Sequence, residues 1–397
     1  MSADRDPAPM PPPEAAARAH SERLQQRIRE EIEAAGGAIP FKRYMELALY
    51  APGLGYYAAA GGARLPEQGD FVTAPGVSPL FARCVARQLA EVLDELGGGD
   101  LFEPGPGSGR LAAGLLAELE RLERLPRRYR LLERSAELRA QQRATLEARV
   151  PHLLDRCAWH DEWPRPFAGA VVANELLDAF PVEGFRRTDD RVEQRCVTLD
   201  GDRFVDDWRP APARLAHAVA HLEQDLGHRL PAGYVSELQF DYSGWFAGLG
   251  DCLDRGAVLL IDYGYVRSEY YLPERDGGTL VCTRAHRAHG DPYDWPGLTD
   301  LSAFVDFTAV TEAATGAGLE LEGFTPQAHF LFASGLEAVA AEAMATADEA
   351  ERLRIAQQVK TLTLPGEMGE RFNVIGFSRG LDRPLSGFDL NDLSHRL

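Results

Sequence analysis

The chain has 397 residues, 45% hydrophobic and 26% charged, enough for one large domain with insertions or for two domains. Its formal net charge of −19 argues against general nucleic-acid binding, which needs Lys and Arg to neutralise phosphates, and against attraction to an anionic membrane surface. Five scattered cysteines without a Cys-x-x-Cys pair point to a reducing compartment and to no metal site, and the polar start Met1-Ser-Ala-Asp is neither a secretory signal nor a transit peptide, so the expected location is the cytoplasm.

Taken in order, residues 1–20 read as a disordered tail rich in Pro and Ala. A helix is expected from near Ser21, with Leu24, Ile28 and Ile32 on one face and Gly36-Gly37 as its stop. Residues 41–49 read as a second short helix. An aromatic loop over 50–57, the stretch Gly69-Asp-Phe-Val-Thr-Ala-Pro75 and a helix over about 78–96 follow. Together, residues 21–97 form an expected N-terminal helical cap. No apolar run approaches ~18 residues, so membrane insertion is not expected.

From Asp100 strand and helix alternate, which predicts a mostly parallel sheet with helices on both faces: an α/β, Rossmann-like fold. Strands are expected over 100–104, 129–133, 157–159, 168–174, 257–262, 319–324 and 372–377, with a helix over 135–149 and two helices within 330–360. Residues 184–250 exceed one crossover and read as an insertion, with a strand near 192–199 and helices near 211–228 and 242–253. The sheet domain is then 98–183 joined to 251–380, with a C-terminal tail over 381–397.

The stretch Glu103-Pro-Gly-Pro-Gly-Ser-Gly-Arg110 lies between the first strand and a helix-forming run. Gly105, Gly107 and Gly109 let the backbone turn sharply and approach a ligand, and the amides that open the next helix suit a carboxylate or phosphate. Arg110 spoils the dinucleotide fingerprint, no Gly-Lys-Ser/Thr completes a P-loop, and Pro106 and Arg110 spoil a nucleophile elbow around Ser108. The remaining pattern, E-x-G-x-G-x-G, resembles motif I of class I S-adenosylmethionine (SAM) methyltransferases.

Acidic residues stand at the ends of the strands, where open α/β sheets bind ligands. Glu133, a little over twenty residues after the glycine loop, suits ribose hydroxyls. Glu103 suits the ammonium of a methionine moiety or nearby amides. Asp161 approaches an adenine or is a solvated loop residue. Asn174, Glu175 and Asp178, directly after the fourth strand, suit a cationic acceptor, since paired carboxylates hold a planar guanidinium; the bland alternative is an N-cap cluster. His217 and His221 share a helix face but lack the partners of a metal motif, so no metal is expected.

With these residues assembled, the chain resembles the MidA-like SAM-dependent methyltransferases, which include the mitochondrial complex I assembly factor that methylates an arginine. The resemblance runs from about Ile39 to Gly376. It is carried by Tyr44-Met-Glu-Leu-Ala-Leu-Tyr50, Gly69-Asp-Phe-Val-Thr-Ala-Pro75, the glycine loop, Leu132-Glu-Arg-Ser135, Ala173-Asn-Glu-Leu-Leu-Asp-Ala-Phe-Pro181, Ile261-Asp-Tyr-Gly-Tyr265, Asp300-Leu-Ser-Ala-Phe-Val-Asp-Phe307 and Gly369-Glu-Arg-Phe372. It implies a class I fold, SAM as cofactor and a protein arginine as acceptor, with Glu103, Gly105, Gly107, Gly109, Glu133 and Asp161 on the cofactor and Asn174, Glu175 and Asp178 on the acceptor. The sequence departs at Gly76-Val-Ser-Pro79, where the family usually has Glu-Ile-Ser-Gln, at Ala82 in place of Gly, and at Phe304 in place of His. A small-molecule methyltransferase and a SAM-binding assembly factor without turnover are the alternative readings.

Overall fold

The computed structural model describes residues 12–58 and 74–397. Helix α1 (Ala15–Ala34) turns Leu24, Ile28 and Ile32 into the core. It begins at Ala15 rather than near Ser21, so the end of the expected tail at 1–20 is helical. The run Ala15-Ala-Ala17 is the strongest of helix formers and outweighs the Pro-rich composition before it. Residues 1–11 and the Gly69-Asp-Phe-Val-Thr part of the 69–75 stretch lie outside the described residues.

Strand β1 (Ile39–Pro40) leads into α2 (Phe41–Tyr50), and α3 (Ala74–Val77) into α4 (Pro79–Glu95). The departure at Gly76-Val-Ser-Pro79 builds the start of α4: the Leu80 amide donates to Ser78 Oγ at 3.1 Å and Pro79 takes the first helical position. Ala82 is accommodated by Gly114 of the facing helix, where a Cβ would come within 2.6 Å of the Ala82 methyl.

The sheet domain runs β2 (Asp100–Pro104), α5 (Arg110–Arg121), β3 (Tyr129–Leu132), α6 (Ala136–Arg149), β4 (Cys157–His160) and β5 (Phe167–Asn174). The insertion holds β6 (Glu183–Arg187), β7 (Val192–Asp200), β8 (Arg203–Pro210), α7 (Ala213–Leu226) and β9 (Val235–Leu238). Next come α8 (Tyr242–Cys252), β10 (Leu253–Tyr265) and α9 (Arg267–Tyr270), then the small strands β11 (Val281–Arg284), β12 (Arg287–His289), β13 (Asp300–Ser302) and β14 (Val305–Asp306). The chain closes with α10 (Phe307–Gly316), β15 (Glu320–Pro326), α11 (Gln327–Ala333), α12 (Leu336–Ala345), α13 (Glu349–Thr363), α14 (Met368–Arg371) and β16 (Phe372–Arg379). Residues 330–360 thus carry parts of three helices rather than two, because the backbone breaks at Gly335 with φ +86°.

The central sheet has the order β15-β16-β10-β5-β2-β3-β4, with β14 added on β10. All its pairs are parallel except those of β16, which runs antiparallel to β10 and β15. This is the α/β, mostly parallel sheet expected from the alternation, and it agrees with the class I fold that the resemblance implies. Successive strand residues serve opposite faces. Leu101, Val172 and Leu259 pack under α4 and α5, while Phe102, Val171 and Val258 pack under α8 and α10.

The insertion differs from expectation. It is an antiparallel sheet ordered β1-β7-β6-β9, with β8 paired to β7, so the cap contributes a strand to it. Of the β8 side chains only Phe204 is buried, and no alternation marks such a strand in sequence. The last residues are packed against the domain: Phe388 is buried and the Leu393 amide donates to the Phe324 carbonyl at 2.7 Å.

Candidate active site

The parallel strands all end at one edge, and the loops after β2, β3, β4, β5 and β10 converge there, as the crevice rule for such sheets requires. Gly109, at φ +77°, forms the start of α5 without a capping side chain, so the first amides of that helix face the crevice unclaimed by one. Gly107, at φ +51°, has nothing within 4 Å of where a Cβ would stand. The loop is therefore an open cradle that a side chain would fill, which fits a ligand approaching the backbone. At Gly105 a Cβ would strike Leu176 Cδ1 at 2.7 Å, so the glycine loop and the loop after β5 are in contact.

Glu103 is buried, accepts from the Tyr129 hydroxyl at 2.6 Å, and burial pushes its carboxyl up to about 7. Glu133 accepts from the Ser135 amide at 2.8 Å and from Gln142 Nε2 at 3.2 Å; burial raises its pKa and those bonds oppose the rise. Gln142 is a residue that sequence reasoning missed. Fully buried, it also donates to the Gly107 carbonyl at 2.9 Å and accepts from Trp159 Nε1 at 2.9 Å. One amide thus ties the glycine loop, Glu133 and β4 together. Its only trace in the sequence is a glutamine on the inward face of an otherwise amphipathic helix. Asp161 follows β4 at the same edge, but its side chain is exposed, and its carbonyl accepts from Arg134 Nε at 3.3 Å.

After β5 the backbone turns abruptly. Glu175 adopts φ +52°, in the left-handed region that non-glycine residues rarely enter. Asn174 Nδ2 donates to Glu175 Oε1 at 2.9 Å, while Asn174 Oδ1 is buried without a hydrogen-bond partner. Burial, followed by the nearby Asp178 charge, pushes the Glu175 carboxyl up to about 8. Asp178 is buried as well; burial pushes it up to about 6 against the hydrogen bond donated by the Tyr263 hydroxyl, and its Oδ1 has no hydrogen-bond partner. The N-cap alternative for this cluster gives way, since no regular helix follows Asp178 before β6.

A second missed residue, Asp262, holds this turn. Its Oδ2 accepts from the amides of Leu176, Leu177 and Asp178 at 3.2, 2.9 and 3.4 Å, and burial beside Asp178 raises its pKa. In sequence it is only the end of an apolar strand. The cap closes over the same turn: Tyr50 donates to the Ala179 carbonyl at 2.7 Å, and Tyr57 to both oxygens of Asp300 at 3.1 Å. Phe304, where a histidine was the family expectation, sets its ring 5.1 Å from Tyr263 and 5.5 Å from Tyr265. His221 pairs with Asp225 at 3.1 Å on an exposed helix face, and no metal-holding group is found among the described residues.

Comparison with known proteins gives the site its chemistry. Residues 84–325 match the family described as "Putative S-adenosyl-L-methionine-dependent methyltransferase". The chain is 27% identical to Protein arginine methyltransferase NDUFAF7 homolog, mitochondrial, of Drosophila melanogaster over 96% of this chain and 92% of that protein. It is 28% identical to Protein arginine methyltransferase NDUFAF7, mitochondrial, of Homo sapiens over 85% and 79%. A crystal structure from Burkholderia thailandensis with S-adenosyl-homocysteine bound superposes with a TM-score of 0.91 at 43% identity, covering 98% of this chain and all of that one. The cytoplasmic location expected from the N-terminal sequence is overturned, since these curated relatives are named mitochondrial. The open glycine cradle and the acidic strand ends fit the cofactor, and the chain belongs to this family as a SAM-dependent methyltransferase.

Proposed function

We propose that the chain methylates an arginine side chain on a partner protein. One observation carries this reading: Glu175 and Asp178 sit together at the crevice with no Lys or Arg beside them among the described residues, and a buried oxygen of Asp178 has no partner. Such a pair suits a cation with several N–H donors, because an apolar acceptor would leave both carboxylates desolvated and unpaired. The names of the curated relatives, protein arginine methyltransferases, support the same acceptor.

In this reading Glu103, Gly105, Gly107, Gly109, Glu133 and Asp161 hold SAM, which supplies a methyl group activated on a sulfonium sulfur. Glu133 accepts from the ribose hydroxyls, Glu103 faces the ammonium, and the α5 amides face the carboxylate. Asn174, Glu175 and Asp178 orient the guanidinium so that one nitrogen points at the methyl group. That nitrogen must shed a proton as it gains the methyl, and a carboxylate of the Glu175–Asp178 pair receives it. Catalysis is then positioning and electrostatics.

The test is transfer from radiolabelled SAM into whole-cell lysate, with the products separated by size and the labelled protein hydrolysed to amino acids. Labelled methylarginine is the expected product. Label confined to small molecules, or to another amino acid, overturns the proposal.

A further inference from the structure

In the sheet, β5 stands between β2 and β10, and the acidic turn after β5 touches both neighbours. Its first part, at Glu175 and Leu176, lies against the glycine loop through the contact of Leu176 with Gly105. Asp178 lies instead against β10, where the Tyr263 hydroxyl donates to Asp178 Oδ2. The two carboxylates therefore have different partners. Glu175 accepts from amides, Asn174 Nδ2 at 2.9 Å and the Ala74 backbone, and from no hydroxyl among the described residues.

Tyr263 is placed to keep its bond. It is 8% exposed, and its ring is fixed edge-on between Phe304 at 5.1 Å and Phe372 at 5.5 Å. Burial, followed by the Asp178 and Asp262 charges, raises its phenol well above the usual range, so it stays a donor. The other titratable groups facing the pair are Asp262 from β10, Asp300 from β13, Tyr50 and Tyr57 from the cap and Tyr242 from α8. None of them is a cation, and Tyr50 and Tyr57 donate elsewhere, to the Ala179 carbonyl and to Asp300. Burial pushes Asp178 up to about 6, and the Tyr263 hydroxyl is the largest influence opposing that rise; the Asp178 charge adds to burial at Glu175, which reaches about 8.

We infer that Tyr263 is a positioning residue that divides the work of the pair: its hydroxyl holds Asp178 as the charged partner of the acceptor guanidinium and leaves Glu175, on the glycine-loop side, to take the proton. The inference rests on the proposed acceptor. A guanidinium nitrogen bonds to the methyl carbon as the carbon–sulfur bond breaks, and that electron pair stays on sulfur. The same nitrogen passes a proton to the Glu175 carboxylate. The products are neutral S-adenosyl-homocysteine, a protonated Glu175 and a methylguanidinium, which is still a cation and still paired with Asp178. A hydrogen bond donated to a carboxylate favours its charged form, which suits Asp178 to holding a cation rather than to receiving a proton.

The experiment uses the full chain, labelled SAM and a dilution series of lysate from about pH 6 to about pH 9, and reads methylarginine after hydrolysis. Tyr263→Phe keeps the ring between its two neighbours and removes the donor. Asp178 then takes up a proton more readily, so transfer is lost toward acid and regained toward alkali. Relative to wild type at the same pH, Tyr263→Phe should be ~10-fold slower at about pH 6, the size of a hydrogen bond to a charged group, and within ~2-fold at about pH 9, with S-adenosyl-homocysteine affinity unchanged. Glu175→Gln should show no such recovery. A Tyr263→Phe deficit that is equal at every pH, or no deficit at all, overturns the inference. If Tyr263→Phe does not fold, Asp178→Asn reads the division directly: ~10-fold more lysate for half-maximal labelling, with a plateau within ~2-fold of wild type, supports it. A plateau lowered as in Glu175→Gln overturns it. Wild type that yields no methylarginine at any pH marks the failure of the proposed acceptor, and the inference falls with it; methylarginine made with a pH-independent deficit marks the failure of the inference alone.

Discussion

Glu175 holds a left-handed backbone conformation at φ +52°, which costs an ordinary side chain on the order of 1–3 kcal/mol and persists only where the surroundings over-determine it. The Glu175 amide donates to the Ile261 carbonyl at 2.9 Å and Asp262 gathers the next three amides, so the turn is pinned at four consecutive residues. Glu175→Gln keeps that shape and removes the charge. SAM affinity should survive, while methyl transfer should fall by at least ~10-fold, about 1.4 kcal/mol at the transition state. Wild-type labelling in this variant would remove the guanidinium clamp. Stability offers an independent check. Glu103, Asp178 and Glu175 are raised by burial to about 7, 6 and 8, so the folded state keeps protons that the unfolded chain has already lost. Their contribution is complete below the unfolded carboxyl values near ~4–4.5 and is lost as pH rises through the folded values. The cofactor-free melting temperature should therefore fall from pH 5 to 8, less steeply in Glu175→Gln; a flat profile would show that the fold does not hold these protons. The residue types at 103, 133, 175 and 178 were legible in the sequence because they end apolar strands. Asp262 also ends one, but its work is to bind amides 84 to 86 residues away, which spacing along the chain does not display.

At the scale of elements, the glycine loop and α6 form one unit. Gln142 Nε2 reaches the Gly107 carbonyl, Thr145 Oγ1 donates to the Ser108 carbonyl at 2.8 Å, and a Cβ on Gly109 would stand 3.0 Å from Gln142 Cα. Gly107→Val should abolish SAM binding, because a branched side chain fills the cradle. The protein itself leaves that space open, so the cost to folding is mainly the left-handed backbone, roughly 1–2 kcal/mol. Calorimetry beside a thermal melt separates the two effects, and unchanged affinity would show that nothing approaches this backbone. Gln142→Ala should weaken SAM binding by roughly 1–3 kcal/mol, the penalty for leaving buried partners such as the Trp159 indole N–H unsatisfied. An unchanged affinity would show that loop and carboxylate hold their places without it. The parallel strands β2, β5 and β10 were readable, since each carries a buried apolar run between helix signals. The insertion sheet was not, because β6 and β8 mix charged and apolar residues and gain their partners from β7 and β9.

Across the whole molecule, two sequence-distant units converge on the turn after β5. The cap reaches it through Tyr50, and the small sheet of β11, β12 and β13 reaches it through the Ala303 amide, which donates to the Asp178 carbonyl at 3.0 Å. Cap and insertion are themselves joined, since Ile39 and Pro40 pair with Val197 and Cys196. The cap is thus part of the frame of the turn proposed to hold the acceptor. The net charge of −19 favours association with a basic partner over an acidic one. Tyr50 tests the coupling with least disturbance. It is 41% exposed, so losing its hydroxyl should cost the fold little, and its ring keeps the stacked contact with Tyr57 at 5.7 Å. Among the described residues its hydroxyl bonds the Ala179 carbonyl, just past Asp178. Tyr50→Phe frees that carbonyl and loosens the turn by about 0.5–1.5 kcal/mol, the net value of an ordinary hydrogen bond. If the turn positions the acceptor, methyl transfer should fall roughly 2- to 10-fold, in proportion to that energy, while SAM affinity and melting temperature stay near wild type. Hydrogen exchange at the Leu177 and Asp178 amides should quicken in parallel. Faster exchange with undiminished transfer would mean that the turn can loosen without cost, and that the cap does not serve catalysis through it.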